Sequence, residues 1–80
     1  MGRTKEWSEG NAEFGRRYSA LFNTLFEGSG KSVREIAKEA GVSNATVYNY
    51  RSGTSPSMYE GLKLLKALGV DSLTIGELVP

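Results

Sequence analysis

The 80-residue chain is long enough for one small domain with a single core, and too short to enclose a catalytic cavity. It has no cysteine and no histidine, which removes disulfides, thiol nucleophiles, the commonest metal ligands and the usual general base. We therefore expect no enzymatic activity, no metal and no cofactor. The net charge of +1 selects no partner by itself, although residues 31 to 51 carry a small basic excess.

No membrane association is indicated. The longest apolar run is too short to span a bilayer, and the N-terminus "MGRTKEWSEG" lacks the apolar segment of a signal peptide. We expect a cytoplasmic protein.

The first predicted helix covers about residues 11 to 27. Residues 1 to 10 mix charges, glycines and one tryptophan without helical periodicity, so they are expected to form a flexible arm outside a domain of residues 11 to 80. Asn11 is a suitable N-cap for the helix. Its buried face is predicted from the spacing of Phe14, Tyr18, Leu21 and Leu25, with Phe22 and Phe26 beside them.

Two short helices separated by a glycine are predicted next. Ser32 and Glu35 form a capping-box pair, so a helix is expected to begin near residue 33. Gly41 ends it, because glycine adopts the positive φ that a tight turn needs. Ser43 caps the following helix, whose inner face is predicted to consist of Val47 and Tyr50.

Turn-forming residues at 52 to 57 predict a loop before a fourth helix. Ser55 and Pro56 fit its N-cap and first position, and Gly69 fits its end. Residues 73 to 79 predict a short fifth helix or turn. The buried stripe of the fourth helix is predicted to be Met58, Leu62, Leu65 and Leu68. Since no segment alternates like a strand, the fold class is predicted to be all-α, a compact bundle of four or five helices.

The segment 33 to 52 fits the mechanics of a helix-turn-helix, whose second helix lies in the DNA major groove. Ala37 is small where the two helices cross, and Gly41 forms the turn. Aliphatic residues fix the angle between the helices: Ile36, Val42 and Val47. Residues 14 to 79, including "REIAKEAGVSNATVYNYRSGTSPSMYEGLKLLKALGV", resemble the lambda-repressor/Cro-like (Xre-type) family of bacterial and phage DNA-binding domains.

This resemblance implies a transcriptional regulator, such as a repressor, that binds double-stranded operator DNA. Binding as a homodimer to a palindromic site is usual in the family. The helix at about 43 to 51 is then the recognition helix. The residues implied to contact base edges are Ser43, Asn44, Ala45, Tyr48 and Asn49. The residues implied to contact phosphates are Lys31, Ser32, Arg34, Thr46, Arg51 and Thr54.

The chemistry of these residues favours an A/T-containing half-site. Asparagine pairs bidentately with adenine, and a methyl group on Ala45 or Thr46 suits the thymine methyl. No arginine on the groove face of this helix is placed to read guanine. In addition, Arg3 and Lys5 in the arm could wrap into a groove of the DNA.

Each of these assignments has an alternative. Asn44 and Asn49 would be ordinary solvated residues without the motif, and Tyr48 suits packing on a neighbour as well as a groove contact. The basic residues suit a solvated helix face. The alternative function is a helical protein-interaction module with the same fold. Near-neutral charge favours that module, whereas the amide-rich face and the scarcity of exposed apolar anchors favour DNA.

Overall fold

The computed structural model describes the backbone of residues 2–79 and the side chains of residues 10–79. Over this range the regular elements are four α-helices and one 3₁₀ turn, with no strand. The helices are α1 (Gly2–Ser29), α2 (Val33–Ala40), α3 (Asn44–Arg51) and α4 (Met58–Ala67), and the 3₁₀ turn is Ile75–Glu77. The predicted all-α bundle is confirmed.

Helix α1 is longer than predicted. It begins at Gly2, so Asn11 lies inside the helix instead of capping it, and residues 2 to 10 are helical. Apolar periodicity marks only the part of a helix that packs on a core, and a helix can continue beyond that part without such a signal. The side chains of Arg3 and Lys5 lie outside the described residues, and the division into a flexible arm and a domain stays a prediction.

The ends of α2 and α3 are confirmed. The Ser32 hydroxyl accepts a hydrogen bond from the Glu35 amide at 3.1 Å, and the Glu35 carboxylate accepts one from the Ser32 amide at 3.3 Å. Gly41 has a φ of 73°, which allows the chain to turn directly after α2. Ser43 caps α3 by accepting a hydrogen bond from the Thr46 amide at 3.1 Å. The helix-turn-helix geometry is therefore fixed locally at both caps.

The start of α4 differs from the prediction. The N-cap is Ser57, whose hydroxyl accepts from the Glu60 amide at 3.4 Å, and neither Ser55 nor Pro56 begins the helix. Pro56 is buried in the loop before α4 instead. A serine followed three residues later by a glutamate was the available signal for this cap.

The buried face of α4 is also rotated from the predicted stripe. Met58 is 81% exposed and Leu62 is 52% exposed, whereas Gly61 and Leu64 are buried together with the predicted Leu65. The physical reason is the close approach of Tyr18 and Pro56 at Gly61. The Tyr18 hydroxyl donates to the Gly61 carbonyl at 2.7 Å, and a Cβ atom on residue 61 would lie only 3.1 Å from the ring carbons of Pro56.

The helices pack around one core. Helix α3 packs on α1 and α2, and α4 packs on α2. Tyr18 and Phe22 are buried as predicted, and their rings stack with centroids 5.9 Å apart. Leu78, after α4, also enters this core. The other buried apolar residues are Ile36, Ala37, Ala40, Val47, Tyr50, Leu64 and Leu65.

Candidate nucleic-acid interface

The outward face of α3 is polar and free of full charges until the last residue of the helix. Asn44, Ala45, Tyr48 and Asn49 are all exposed, with Tyr48 at 56%. Val47 is fully buried on the opposite side of the helix. The structure therefore brings four of the predicted base-contacting residues together on one accessible surface, which we call the α3 face.

Tyr50 anchors the inner side of α3. Its ring packs edge-on against Tyr18 with centroids 6.0 Å apart, and its hydroxyl donates to the Glu60 carboxylate at 2.8 Å. Burial, followed by the hydrogen bond to Glu60, raises the pKa of Tyr50 above its ordinary value. The phenol therefore stays neutral and holds α3 on α1 and α4, which fixes the direction in which the α3 face points.

The N-terminus of α3 is occupied by its own cap. Ser43 and Thr46 share a hydrogen bond between their hydroxyl oxygens at 2.9 Å, in addition to the backbone cap. Ser43 is exposed, and Thr46 is half-buried. Both hydroxyls keep acceptor or donor capacity at this end of the helix, beside the α3 face.

The C-terminus of α3 is held on α1 by Arg51. The Arg51 Nε donates to the Asn23 side-chain oxygen at 2.8 Å, and the guanidinium carbon lies 4.5 Å from the centre of the Phe26 ring. The carbonyl of Arg51 accepts from the Ser19 hydroxyl at 2.6 Å and from the Asn23 amide nitrogen at 3.1 Å. Sequence reasoning missed Ser19 and Asn23, because two polar residues on a helix carry no signal of such a long-range contact.

The cations of the chain differ in their partners. Among the side chains described, Arg16 and Arg17 pair with Glu13, whereas Arg34 and Arg51 have no acidic side chain within 4.0 Å. Arg34 is exposed on the first turn of α2, next to the capping residue Ser32. These two arginines therefore keep their full charge for an external anion.

Lys31 lies in a different environment from the other predicted phosphate contacts. Its ammonium group is 2.9 Å from the Glu39 carboxylate and 3.3 Å from the carbonyl of Ala67 at the end of α4. Lys31 thus ties α2 to the C-terminus of α4, and a contact with an external anion would require the ion pair with Glu39 to open.

The loop between α3 and α4 follows the backbone of α1 closely. A Cβ atom on Gly15 would lie only 2.3 Å from the carbonyl oxygen of Gly53, so glycine is required for this approach. The Ser55 hydroxyl also bonds to the Asn11 side chain at 2.8 Å. Thr54 is exposed on this loop, and its amide donates to the carbonyl of Asn49. The loop is therefore held in place beside the end of α3.

A second accessible surface is apolar. Residues of α1, α4 and the segment after α4 line a groove of about 790 Å³, which we call the C-terminal groove. Ile75 is 77% exposed and Val79 is 50% exposed at its edge. The exposed or half-buried apolar residues that line it include Met58, Leu62, Leu73, Ile75 and Val79.

The helix-turn-helix unit lies in the part of the chain that matches a known family. A family model described as helix-turn-helix matches residues 25–75, which includes α2, the turn, α3 and α4. The chain belongs to the Xre/lambda-repressor-like helix-turn-helix family. Most of α1 precedes the matched region, so the long N-terminal helix is a feature of this chain outside the family model.

This helix-turn-helix family is a family of DNA-binding regulators and not an enzyme family. Comparisons with curated proteins and with solved structures found no match. Within residues 2–79, no helix combines the length and the apolar character needed to cross a bilayer.

Proposed function

We propose that this helix-turn-helix protein regulates transcription by placing α3 in the major groove of a specific double-stranded DNA sequence. The α3 face is the observation that carries the proposal. Its residues expose amides, a phenol and a methyl group on a helix whose opposite side is buried. Uncharged amides are less costly to desolvate than ions, and they offer both a donor and an acceptor to a base edge.

The proposed base contacts are made by the α3 face together with the cap of α3. Asn44 and Asn49 suit the adenine edge, which presents one donor and one acceptor in the major groove. Ala45 suits a thymine methyl, and Tyr48 reaches the groove with its exposed ring. Ser43 lies at the N-terminal end of the helix, where it can meet a base edge or a phosphate. We expect A·T pairs in the half-site for this reason.

The proposed phosphate contacts surround the α3 face. Arg34 and Arg51 supply full charges, and Ser32 with the backbone amides at the start of α2 supplies hydrogen-bond donors. Thr46 and Thr54 complete the set beside α3. Lys31 belongs to it only when its ion pair with Glu39 opens, so we expect its contribution to be the smallest.

We also propose that two copies bind a palindromic operator. The C-terminal groove supports this, because it exposes several large apolar side chains that a monomer would leave in water. A symmetric dimer would bury the same groove on both copies and would place its two recognition helices about one DNA turn apart. As a regulator of bacterial or phage type, the protein would act as a repressor in the cytoplasm, where its operator lies.

The proposal is tested by selecting bound fragments from a random-sequence DNA library with the purified protein. The recovered site and a scrambled site are then titrated at about 50 and about 200 mM salt, where phosphate contacts weaken binding steeply as salt rises. We expect a short site with A·T pairs in each half and a palindromic arrangement.

The matched variants are Asn44→Ala on the α3 face and Thr24→Ala on the exposed side of α1, away from the C-terminal groove. Asn44→Ala should relax the preference at one or two base positions, whereas Thr24→Ala should leave the selected site unchanged. If the protein enriches no DNA even at low salt, the groove assignment is wrong and a protein-interaction module becomes the better interpretation of the α3 face.

A further inference from the structure

We propose that Asn23 on α1 is a positioning residue, which presents the guanidinium of Arg51 to a DNA phosphate. The inference rests on the proposed function and adds a residue to it that lies outside the helix-turn-helix. It concerns how the guanidinium of Arg51, at the end of α3, is oriented in the absence of DNA.

One amide side chain holds Arg51 at two points. The Asn23 oxygen accepts from Arg51 Nε at 2.8 Å, and the Asn23 nitrogen donates to the Arg51 carbonyl at 3.1 Å. Phe26, one turn further along α1, stacks beneath the guanidinium at 4.5 Å. The plane of the guanidinium is thereby fixed by a hydrogen bond at its inner nitrogen and by a ring on one face.

The outer part of the guanidinium remains available. Its terminal nitrogens make no hydrogen bond to any side chain or carbonyl among the described residues, and Arg51 is only half-buried. A guanidinium binds a phosphate through paired N–H groups. Because Arg51 has already lost much of its rotational freedom on folding, it loses less when it binds an anion.

The neutral side-chain amide of Asn23, which binds Arg51, supports a role for that arginine in anion binding. A carboxylate at residue 23 would hold an arginine more strongly, and it would also neutralise the charge. The neutral amide of Asn23 orients the guanidinium and leaves its charge intact. None of the acidic side chains described lies within 4.0 Å of Arg51, so the charge is uncompensated at the edge of the α3 face.

Ser19 provides a matched control for the structural part of this network. Its hydroxyl donates to the same Arg51 carbonyl at 2.6 Å and accepts a longer hydrogen bond from the Asn23 amide nitrogen at 3.4 Å, but it makes no bond to the guanidinium. Loss of Ser19 therefore weakens the attachment of α3 to α1 and leaves in place both the bond from Arg51 Nε to the Asn23 oxygen and the bond from the Asn23 nitrogen to the Arg51 carbonyl. Loss of Asn23 weakens the same attachment and also releases the guanidinium.

The test measures affinity for the selected DNA site with four variants of the full chain: Ser19→Ala, Asn23→Ala, Arg51→Ala and the double variant Asn23→Ala/Arg51→Ala. Asn23→Ala should weaken binding by about three- to tenfold, the size expected for re-immobilising one long side chain. Ser19→Ala should change binding less than about twofold. Arg51→Ala should lower the salt slope by about one, and adding Asn23→Ala to it should lower the affinity further by less than about twofold, the size expected for the bond to the backbone carbonyl alone.

The thermal midpoint of each variant is measured beside the affinity, so that unfolding is not mistaken for weaker binding. Equal losses of affinity for Ser19→Ala and Asn23→Ala would overturn the positioning role, as would an undiminished effect of Asn23→Ala when Arg51 is already alanine. These outcomes leave the wild-type protein binding its site. A wild-type protein that binds no DNA would instead overturn the proposed function and this inference together.

Discussion

Helices α2 and α3 have the same length and the same kind of start, yet their outer faces differ. Each has eight residues, follows a serine cap and buries aliphatic or aromatic side chains in the same core. The outer face of α2 is charged and includes Arg34, Glu35, Lys38 and Glu39, whereas that of α3 carries amides, a phenol and a methyl group. The charged outer face of α2 shows that a helix in this position can fold without exposed amides or a phenol. The residues on the outer face of α3 therefore need a functional explanation.

The largest expected effects come from the inner faces, where the two helices should behave alike. Ile36 and Val47 are both fully buried. Ile36→Ala should lower the free energy of unfolding by about 2–5 kcal/mol, and Val47→Ala by a smaller amount because it removes fewer carbon atoms. Urea denaturation followed by circular dichroism measures both.

Arg34→Ala is the control on the outer face of α2, where the free energy of unfolding should change by less than about 0.5 kcal/mol. If Val47→Ala were equally harmless, α3 would not be held by the core in the way that α2 is, and the comparison between the helices would fail.

Substitutions on the outer faces of α2 and α3 should affect DNA binding in different ways. Asn49→Ala should cost about 1–3 kcal/mol of discrimination at one base position, because a bidentate base contact is lost. Arg34→Ala should weaken binding to all sequences alike and lower the salt slope by about one. Titrations of the selected site and of single-base variants of it distinguish the two results, and uniform weakening by Asn49→Ala would remove it from the base contacts.

Replacing the serine caps should have a smaller effect than the substitutions above, and the effect should be on the free energy of unfolding. Ser32→Ala and Ser43→Ala should each cost about 1 kcal/mol, and Ser32→Ala should cost more because Glu35 completes a reciprocal pair only in α2. Glycine at either position should cost only about a few tenths of a kcal/mol. Thermal or urea unfolding measures the series, and a larger loss at Ser43 would show that its bond to Thr46 contributes more than the capping box.

The smallest expected effect is on the pH dependence of stability, which should differ between the wild-type protein and Tyr50→Phe. The pKa of Tyr50 is raised by burial and by its bond to Glu60, so the folded state favours the neutral phenol. This contribution is complete below the ordinary tyrosine pKa of about 10 and is lost as the pH rises above it. Stability should therefore fall as the pH rises above about 10, and it should fall less steeply in Tyr50→Phe. An unchanged slope in that variant would exclude Tyr50 as the cause.

The sequence was sufficient to predict the elements whose structure is determined locally. The Ser32 and Glu35 pair, the glycine at 41 and the cap at Ser43 each predicted a helix boundary that the structure contains. Backbone hydrogen bonds at helix ends are made by residues three or four positions apart, so short patterns report them directly. The exposure of Asn44 and Asn49 followed from the burial of Val47 and Tyr50 on the other side of α3.

The features that the sequence did not predict depend on contacts between distant residues. Met58 and Leu62 fit a helical stripe, but α4 turns Gly61 inward, where its carbonyl accepts from Tyr18 and where a side chain would press against the Pro56 ring. Hydrophobic spacing cannot identify a glycine as part of a buried face. The hydrogen bond from Arg51 to Asn23 joins residues that are 28 positions apart, and nothing in the sequence around either residue indicates it.

The glycines of α1 differ sharply in how freely they could be replaced. A Cβ atom at Gly10 or Gly28 would meet no atom within 4 Å, whereas at Gly15 it would collide with the backbone at Gly53. Alanine at Gly10 or Gly28 would therefore favour the helix by up to about 1 kcal/mol each. An engineer who wanted a stiffer version of this protein could change those two positions and would have to leave Gly15 alone, since even one added methyl group there would push the long helix off the loop that follows α3.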